Sequence, residues 1–546
     1  MDIKKTIYIL TLQNAIKYNG KANPGSIMGL IFGMDPKLKQ KAKEISKEVQ
    51  ESIKKVNSLS LEEQKNQLKQ TGEIKKEKKQ EAGIFDFLKI KKGEKIITAF
   101  PPGPEKYPHI GHAKALLLNY LLAKEYGGKF VLRFEDTNPR LVKNEFYEIM
   151  KENFKWLGVK WDKLQYASDN MDLFYSLGKK LIKSGDAYVC YCEREIASKN
   201  RRAGIACDCS KQTNQLEKWD KFFKAKQGSA IVRLNIDMEH KNTVMRDPAI
   251  FRIIDEKHAR LGNKFRVWPT YDFQNAIMDG KYGITHRLRS KEFELRSELQ
   301  RYIQKLLKLK TTTTYEFARF NMVGVLSSGR EIREKIEKKE ISGWDDPRLT
   351  TLVALKRRGF LPKSIKDFVV STGISKTESK VTWDSLIMIN KRYLDRDANR
   401  YSFIEDPQKI KISGTKEDTI KMPLHPEEKR GFRKLKINKE FYIQKSDKPK
   451  KDKIYRFMHL FNFKNNKFIS EEYDQSFKAK LIHWLPVSEE NIKVDIIMND
   501  NKITEGLAEK TIKKVKIGEL IQFERFGFCR LDKKTKNKYI FYFTHK

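Results

Sequence analysis

Residues 96–134 read IITAFPPGPEKYPHIGHAKALLLNYLLAKEYGGKFVLRF, and this stretch decides the fold of the chain. Its first five residues are a short apolar run, which predicts a β-strand; residues 113–126 have the apolar spacing of a helix, and residues 130–134 form a second apolar run. Another amphipathic segment follows at 145–157. Strands and helices that alternate in this way are typical of a parallel sheet with right-handed crossovers. We therefore predict an α/β domain built on such a sheet.

A proline-rich loop joins the first predicted strand to the first predicted helix and ends in His109-Ile110-Gly111-His112. In sheets of this kind, ligands bind beyond the carboxyl ends of the strands, where helix N-termini offer free N–H groups to phosphate. His109 and His112 share one face of the first helical turn, so both imidazoles can donate to a triphosphate. Gly111 leaves space for a flat base. The pattern predicts a nucleotide site; a metal-binding pair or a plain surface pair is the alternative.

The charge of the chain favours a polyanionic partner. Its 546 residues include 112 Lys+Arg and 71 Asp+Glu, which leaves a formal net charge of +41. Such a surplus is typical of proteins that bind nucleic acid, although a lysine-rich proteome would give it too. A hydrophobic content of 39% excludes a wholly disordered chain. We find neither a cleavable leader nor the run of about 18 apolar residues that a membrane helix needs, so we expect a cytoplasmic protein with no membrane partner.

Four of the five cysteines form two Cys-x-Cys pairs, which is a poor pattern for an extracellular disulfide framework. Thiolates in two such pairs can close a tetrahedral site around zinc. The sequence therefore predicts a structural zinc held by Cys190, Cys192, Cys207 and Cys209, and four reduced cysteines without metal are the alternative. Cys529 stands alone in a predicted strand and is expected in the core.

Two further regions differ from the α/β pattern. Residues 1–92 contain helical spacing, as in 37–56, followed at 64–81 by a stretch so rich in Lys, Glu and Gln that it predicts a solvated helix or a linker. After residue 400, runs typical of β-strands replace the helical spacing and predict a β-barrel region. These runs lie at 409–412, 432–437, 440–443, 494–497 and 538–542.

Five motifs resemble those of a known family. The motif at 109–112 resembles the HIGH signature of class I aminoacyl-tRNA synthetases, and LRFEDTNP at 132–139 resembles the second signature of their glutamyl/glutaminyl branch. PTYDFQN at 269–275 and GITHRLR at 283–289 are similar to the amino-acid pocket of that branch, and SGWDDPRL at 342–349 is similar to the segment after its ATP loop. With its helical appendage and barrel-type tail, nearly the whole chain resembles the archaeal/eukaryotic glutamyl-tRNA synthetases.

The resemblance implies an α/β fold in four parts. It implies an N-terminal helical appendage at 1–92, a class I Rossmann-like catalytic domain at 93–310 with an inserted acceptor-end-binding domain at 188–265, a helical region with the mobile loop and stem contacts at 311–400, and C-terminal β-barrel anticodon-binding domains at 401–546. In the helical region, the basic run at 356–358 is expected near the inner stem of tRNA.

The implied function is that of a glutamate–tRNA ligase. Such an enzyme uses ATP with Mg²⁺ to convert L-glutamate to glutamyl adenylate and passes the acyl group to the 3′ end of tRNA(Glu); whether tRNA(Gln) is charged as well is left open. A glutaminyl-tRNA synthetase and a catalytically silent tRNA-binding protein are the alternatives. Other synthetases or accessory proteins are conceivable partners of the appendage, and members of the family can carry zinc in the insertion.

The resemblance also assigns site residues. The residues that the resemblance implies for ATP binding are Pro102, Gly103, Pro104, His109, Gly111, His112, Ser327, Ser328 and Arg330. Of these, His109, His112 and Arg330 are the predicted catalytic residues. The residues implied for binding of L-glutamate are Glu135, Tyr271, Asn275 and Arg289. From local sequence alone, the alternatives are an ion pair of Glu135 with Arg133 and a surface pair of Arg289 with Glu292 or Glu294.

The chain departs from the family at two points. The usual lysines of the ATP loop are absent from VLSSGR at 325–330, so Arg330 is predicted to supply the cation; an ordinary Ser-Gly turn before a charged helix is the alternative. The family also has an arginine just before Phe-x-Pro, where this chain has Ala99. A neighbouring cation is expected to take its place.

Overall fold

The computed structural model describes residues 2–74, 83–322, 325, 326, 328–378 and 380–546. By its contacts the chain divides into two compact units, Met1–Asp86 and Phe87–Lys546. In the described residues, no helix combines the length and the apolar character that a membrane span requires.

The first unit is helical, as predicted for the appendage. Its helices are α1 (Ile3–Lys17), α2 (Pro24–Met34), α3 (Ala42–Asn57) and α4 (Leu61–Thr71). The Asn23 side chain accepts from the Ser26 N–H, and Pro24 occupies the first turn, which together begin α2. The apolar spacing of α3 buries Ile45, Val49 and Val56 in the core of this unit. Of the predicted solvated stretch at 64–81, residues 75–82 lie outside the described residues.

The second unit begins with the predicted alternation of strands and helices. Its first elements are β1 (Ile97–Phe100), α5 (Ile110–Glu125), β2 (Lys129–Phe134), α6 (Asn144–Trp156), β3 (Lys163–Tyr166) and α7 (Met171–Ser184). Helix α5 starts three residues before the predicted position because His109 caps it. The four elements predicted from 96–157 are therefore confirmed.

An antiparallel sheet is inserted next, in the order β4-β5-β6-β7. Its elements are β4 (Ala187–Cys190), α8 (Arg194–Ala203), α9 (Gln215–Phe222), β5 (Ile231–Leu234), β6 (Ala249–Ile253) and β7 (Val267–Pro269). The chain then returns to the first sheet through α10 (Tyr271–Lys281), β8 (His286–Ser290), α11 (Glu294–Leu306) and β9 (Thr313–Phe317).

The first sheet is parallel throughout and has the order β3-β2-β1-β8-β9. The chain builds β2 and β3 on one side of β1 and, after the insertion, β8 and β9 on the other side. The strand order thus reverses at β1, and in open parallel sheets this reversal creates a crevice at the carboxyl ends of the strands. Helix α5 packs on β1, β2 and β8 and begins at that crevice.

A helical region follows. It contains β10 (Asn321–Met322), α12 (Gly329–Glu337), α13 (Leu352–Arg358), α14 (Pro362–Ser371), β11 (Lys380–Val381) and α15 (Trp383–Asp397). Helix α13 ends at Gly359, whose φ of 96° favours glycine.

The remaining chain is β-structure, as predicted. Its strands are β12 (Asn399–Tyr401), β13 (Phe403–Glu405), β14 (Pro407–Lys411), β15 (Asp418–Pro423), β16 (Phe432–Ile437), β17 (Glu440–Gln444), β18 (Ile454–Phe457), β19 (Asn462–Lys464), β20 (Lys467–Ser470), β21 (Lys480–Ile482), β22 (Leu485–Pro486), β23 (Ile492–Ile497), β24 (Ile503–Ala508), β25 (Leu520–Phe523), β26 (Gly527–Lys534) and β27 (Tyr539–His545). Seven of them form one sheet, in the order β12-β25-β26-β27-β23-β24-β13, and the others form three smaller sheets. The lone Cys529 lies in the core of the large sheet, as predicted.

Candidate active site

A cleft of about 720 Å³ opens at the carboxyl ends of β1 and β8. Nine of the predicted site residues line it, namely Pro102, Gly103, His109, Gly111, His112, Glu135, Tyr271, Arg289 and Ser328. The predicted nucleotide and amino-acid residues thus share one cavity, although more than 190 positions separate the first from the last along the chain.

Four predicted site residues do not line the cleft. Pro104 and Asn275 are buried behind its wall, and Ser327 lies outside the described residues. Arg330 lies on α12 with its side chain 88% exposed, and its Nε is 3.4 Å from Glu334. The structure therefore does not bring the predicted catalytic cation of the loop into the cleft.

The two histidines close the first turn of α5 with their ring nitrogens. The Gly111 N–H donates to His109 Nδ1 at 3.0 Å, and the His109 N–H donates to His112 Nδ1 at 3.2 Å. A ring nitrogen that accepts carries no proton, so each neutral imidazole has its proton on Nε2. A side chain at Gly111 would come within 2.9 Å of the His109 ring, so this glycine makes room for the imidazole in addition to any base.

Both imidazoles are neutral at pH 7. Burial in the cleft lowers the pKa of His109 to about 3 and lowers that of His112 well below the usual 6.5, and the charge of Lys106 acts in the same direction. The pair therefore offers two uncharged N–H donors, which suits contact with phosphate oxygens.

At the other end of the cleft, a buried network holds Glu135. Asn275 Nδ2 donates to Glu135 Oε1, while its Oδ1 accepts from Arg133 Nη2 at 3.1 Å and from Arg287 Nη1 at 2.8 Å. Asp279 accepts from the same two arginines, at 2.7 Å and 2.6 Å. Arg133 is thus paired with Asp279, and the alternative in which it satisfies Glu135 is wrong.

Glu135 is mostly protonated in the free protein at neutral pH. Burial raises the pKa of its carboxyl to about 8, against the opposing attraction of Arg287, Arg133 and Arg289. A carboxyl in this state is ready to ionise when a cation is placed against it.

Arg289 is buried in the cleft wall with an exposure of 5%. Its Nη1 donates to Gln300 Oε1 and its Nη2 to the Tyr271 hydroxyl, both at 2.8 Å, and the guanidinium lies 4.7 Å from the centre of the Phe293 ring. These partners are neutral, so the charge of Arg289 is not neutralised by an ion pair. Its Nε is buried without a hydrogen-bond partner.

The surface alternative for Arg289 is wrong. Glu292 binds Arg319 at 2.9 Å, and Glu294 binds Lys376 at 2.9 Å. Both carboxylates are thus engaged by other cations, and Arg289 remains in the cleft.

Comparison with known proteins agrees with this geometry. Residues 95–396 match the family model for the catalytic domain of class I tRNA synthetases (E and Q), and residues 398–482 and 445–532 match models for its anticodon-binding domains. The chain belongs to this family. It is 39% identical to the glutamate–tRNA ligase of Pyrococcus furiosus, 38% to that of Methanocaldococcus jannaschii and 40% to that of Nitrosopumilus maritimus, and each alignment covers 100% of both chains.

The synthetase has an arginine next to the position of Ala99 on the adjacent strand. Ala99 is fully buried with Val131 and Ile284. Because Thr98 on β1 lies opposite His286 on β8 in parallel register, Ala99 and Arg287 are neighbours on one face of the sheet. Arg287 lines the cleft, and we infer that it is the neighbouring cation expected from the sequence.

Sequence reasoning missed Arg287, although a signal was present. In GITHRLR, Arg287 and Arg289 are two residues apart on a strand, and such residues point to the same face. Only the register with β1 shows that this face is the one that carries Ala99.

The four clustered cysteines of the synthetase converge. Cys190 ends β4, Cys192 follows it, and Cys207 and Cys209 lie at a 3₁₀ turn over 208–211. Their Sγ atoms lie within 4.8 Å of one another, with separations of 3.7 Å for Cys190–Cys207, 3.4 Å for Cys192–Cys207 and 3.8 Å for Cys192–Cys209. Four thiolates about 2.3 Å from a tetrahedral zinc would be about 3.8 Å apart, so this set fits the metal.

The basic run at 356–358 only partly fits its predicted contact with tRNA. Lys356 is exposed, but Arg357 binds Asp345 at 2.6 Å and Asp532 at 2.9 Å. Arg358 is buried and donates to the carbonyls of Pro347 and Thr544, both at 3.2 Å. Arg358 joins α13 to the β-structure and is not available to phosphate, so its predicted stem contact is wrong.

Proposed function

We propose that this synthetase activates L-glutamate with ATP and transfers the glutamyl group to the 3′ end of tRNA(Glu). The observation that carries the proposal is a single cleft with neutral N–H donors at one end and, at the other, the buried Arg289, whose hydrogen-bond partners are neutral. Because the relatives that align over their full length are glutamate–tRNA ligases, the comparison does not favour the glutaminyl alternative.

In the first step, the α-carboxylate of glutamate forms a bond to the α-phosphorus of ATP as the bond to the bridging oxygen breaks, and that electron pair leaves on pyrophosphate. No protein nucleophile is needed. His109 and His112 would donate from Nε2 to the phosphates, and the N-terminus of α5 adds a positive dipole. Mg²⁺ held by the phosphates would neutralise part of their charge. The chain itself positions the reactants and stabilises the charge that moves.

In the second step, the terminal ribose hydroxyl of tRNA attacks the glutamyl carbonyl and AMP leaves. Throughout, Glu135 would hold the substrate ammonium, with Asn275 fixing the carboxyl, and Arg289 would hold the γ-carboxylate with help from Tyr271. Glutamine would place NH₂ donors against the guanidinium donors, which is unfavourable for the amide.

Pyrophosphate exchange tests this function. Purified wild-type protein is incubated with ATP, Mg²⁺ and labelled pyrophosphate, with glutamate or glutamine, in the presence and absence of tRNA(Glu). We expect exchange with glutamate that exceeds exchange with glutamine. Preference for glutamine would support the glutaminyl alternative, and no exchange with either would support the silent tRNA-binding alternative.

Binding of glutamate is expected to release about one proton at pH 7, because the substrate ammonium lowers the raised pKa of Glu135 and ionises it. Affinity should rise from pH 5 towards pH 8 and level off above the pKa of about 8. Calorimetry in two buffers of different ionisation enthalpy measures the proton count. Glu135→Gln should abolish the release, and binding without release in the wild type would contradict the prediction.

tRNA binding is expected to weaken steeply with salt, since the net charge of +41 makes phosphate contacts the largest contribution to affinity. Each contact should add about 0.9 or less to the slope of log affinity against log salt. Lys356→Ala should flatten the slope by about one contact, whereas the engaged Arg357 should contribute less. A flat salt dependence in the wild type would count against tRNA docking through the basic surplus.

We further propose that the cysteine cluster holds a structural zinc, which the separations of the four Sγ atoms support. In the insertion, thiolates on β4 and on the turn at 208–211 would be joined by the metal, and this small sheet would gain stability from it.

Other assignments remain proposals of the same kind. We propose the four parts given above, at 1–92, 93–310 with 188–265 inserted, 311–400 and 401–546, the last of which would read the anticodon. We also propose that the protein acts in the cytoplasm and that the helical unit binds other synthetases or accessory proteins. Aminoacylation of tRNA(Glu) and tRNA(Gln) transcripts would decide whether both are charged.

A further inference from the structure

Five cations line the cleft, and four of them are held by protein partners. Lys114 donates to the Ala318 carbonyl at 3.2 Å, Arg287 pairs with Asp279, Arg289 donates to Gln300, and Arg319 pairs with Glu292. The fifth is Lys106. In the described part of the chain, no hydrogen bond or ion pair engages its ammonium, and Glu105 and Glu292 act on it only from beyond ion-pair distance.

Lys106 lies at the phosphate end of the cleft. It is half-buried and lines the cleft together with His109 and His112, and its charge lowers the pKa of both imidazoles. Burial lowers its pKa, as expected for a cation without a carboxylate partner. A half-buried lysine held in this state costs folding free energy and is typical of a site prepared for an anion.

The side chain of Lys106 also lies against the start of α12. A Cβ added to Gly329, the first residue of α12, would come within 2.7 Å of Lys106 Cδ. Gly329 is buried, whereas its neighbour Arg330 is exposed and directed to Glu334. The space that a side chain at Gly329 would take is therefore occupied by Lys106.

We propose that Lys106 supplies the cation that binds the β- and γ-phosphates of ATP and stabilises pyrophosphate as it leaves, in place of a lysine on the loop before α12. The inference rests on the proposed function, since it requires ATP in this cleft. As the bond from the α-phosphorus to the bridging oxygen breaks, negative charge grows on the leaving group. An ammonium in the same cleft as two N–H donors, with no carboxylate partner of its own, can stabilise that charge.

Pyrophosphate exchange with glutamate tests the proposal through Lys106→Met, which keeps the length of the side chain and removes its charge. We expect kcat to fall about 100-fold and the KM for pyrophosphate to rise, with the KM for glutamate unchanged. Lys106→Arg should recover most of the loss, because it restores the cation. Lys160→Met, at an exposed lysine of the same unit, is the matched control and should behave as wild type.

An exchange rate for Lys106→Met within about threefold of wild type would overturn the inference while leaving the function intact. An inactive wild-type protein would instead reject the function itself, so the two failures are distinguishable. A rise in the KM for glutamate equal to that for pyrophosphate, or loss of the folded state in thermal unfolding of both the Met and Arg variants, would assign Lys106 a structural role instead.

A double-mutant cycle that combines Gly329→Ala with Lys106→Ala tests whether Gly329 positions the Lys106 side chain. In the wild-type background, the added methyl group displaces Lys106 and should lower kcat. In the Lys106→Ala background the methyl group has nothing to displace and should cost little, so the two changes are non-additive. Equal costs in the two backgrounds would show that Gly329 does not position Lys106 and would contradict the inference.

Discussion

Replacing Arg289 with cysteine is expected to abolish activation of glutamate while tRNA binding persists. The γ-carboxylate of the substrate would enter a buried pocket without its cation, and an unpaired buried charge costs about 3–5 kcal/mol. This corresponds to a fall of roughly two to four powers of ten in kcat/KM for glutamate. Pyrophosphate exchange measures the loss, and tRNA affinity measured separately shows that the protein still docks its larger substrate.

The pocket explains why the effect should be so large. Gln300 and Tyr271 fix the two Nη atoms of Arg289 and are both neutral, so the guanidinium can form an ion pair with the substrate. Arg287, by contrast, is already paired with Asp279. No other arginine in the described cleft combines burial with neutral partners.

Arg301→Cys is the matched control, because this arginine lies exposed on α11 beside the same site. It should leave exchange with glutamate unchanged. If Arg289→Cys retains near wild-type efficiency with glutamate, Arg289 does not select the substrate and the glutaminyl alternative gains support. A parallel loss in tRNA binding would point to misfolding, which thermal unfolding of the variant would reveal.

Cys207→Ser is expected to remove zinc from the protein and to loosen the insertion. Elemental analysis should find about one zinc per wild-type chain and much less in the variant, because one of four thiolate ligands is lost. Loss of a residue that merely supports a ligand costs 10- to 100-fold in metal affinity, so loss of a ligand should cost at least about 100-fold.

The structural consequence should be local. Cys207 contacts Cys190 at the end of β4 and Cys192 just after it, so without the metal these segments lose their link. Limited proteolysis should then cut within 191–211 in the variant and not in the wild type. Folding of the parallel sheet should persist, because its core does not include the cluster.

Cys529→Ala controls for the loss of a thiol. Cys529 is buried in the seven-stranded sheet and takes no part in the cluster, so this variant should retain its zinc. Metal-free wild-type protein with full activity and an intact insertion would reject the proposal. Zinc retained by Cys207→Ser would place the metal elsewhere.

The fold was largely predictable from the sequence because local pattern and chain order specify it. The apolar runs at 96–100 and 130–134 are too short for helices and favour buried strands, and the 3.6-residue spacing between them predicts α5. The β-rich tail was equally visible, since strand-forming runs there alternate with turns. Of the site, the residue pattern itself indicated only His109 and His112 in the loop between a strand and a helix, whereas the resemblance to the synthetase family assigned Glu135 and Arg289.

What the sequence determined by itself is therefore which residues carry chemistry on each element. What only the tertiary structure decided is which of them meet. Arg287 lies beside Ala99 through the register of β1 with β8, and Lys106 comes to Gly329 across more than two hundred residues. Arg358, basic and adjacent to Lys356, is instead buried against Thr544. The physical reason is that strand pairing and burial depend on contacts between distant segments, whereas sequence patterns report only the local chain.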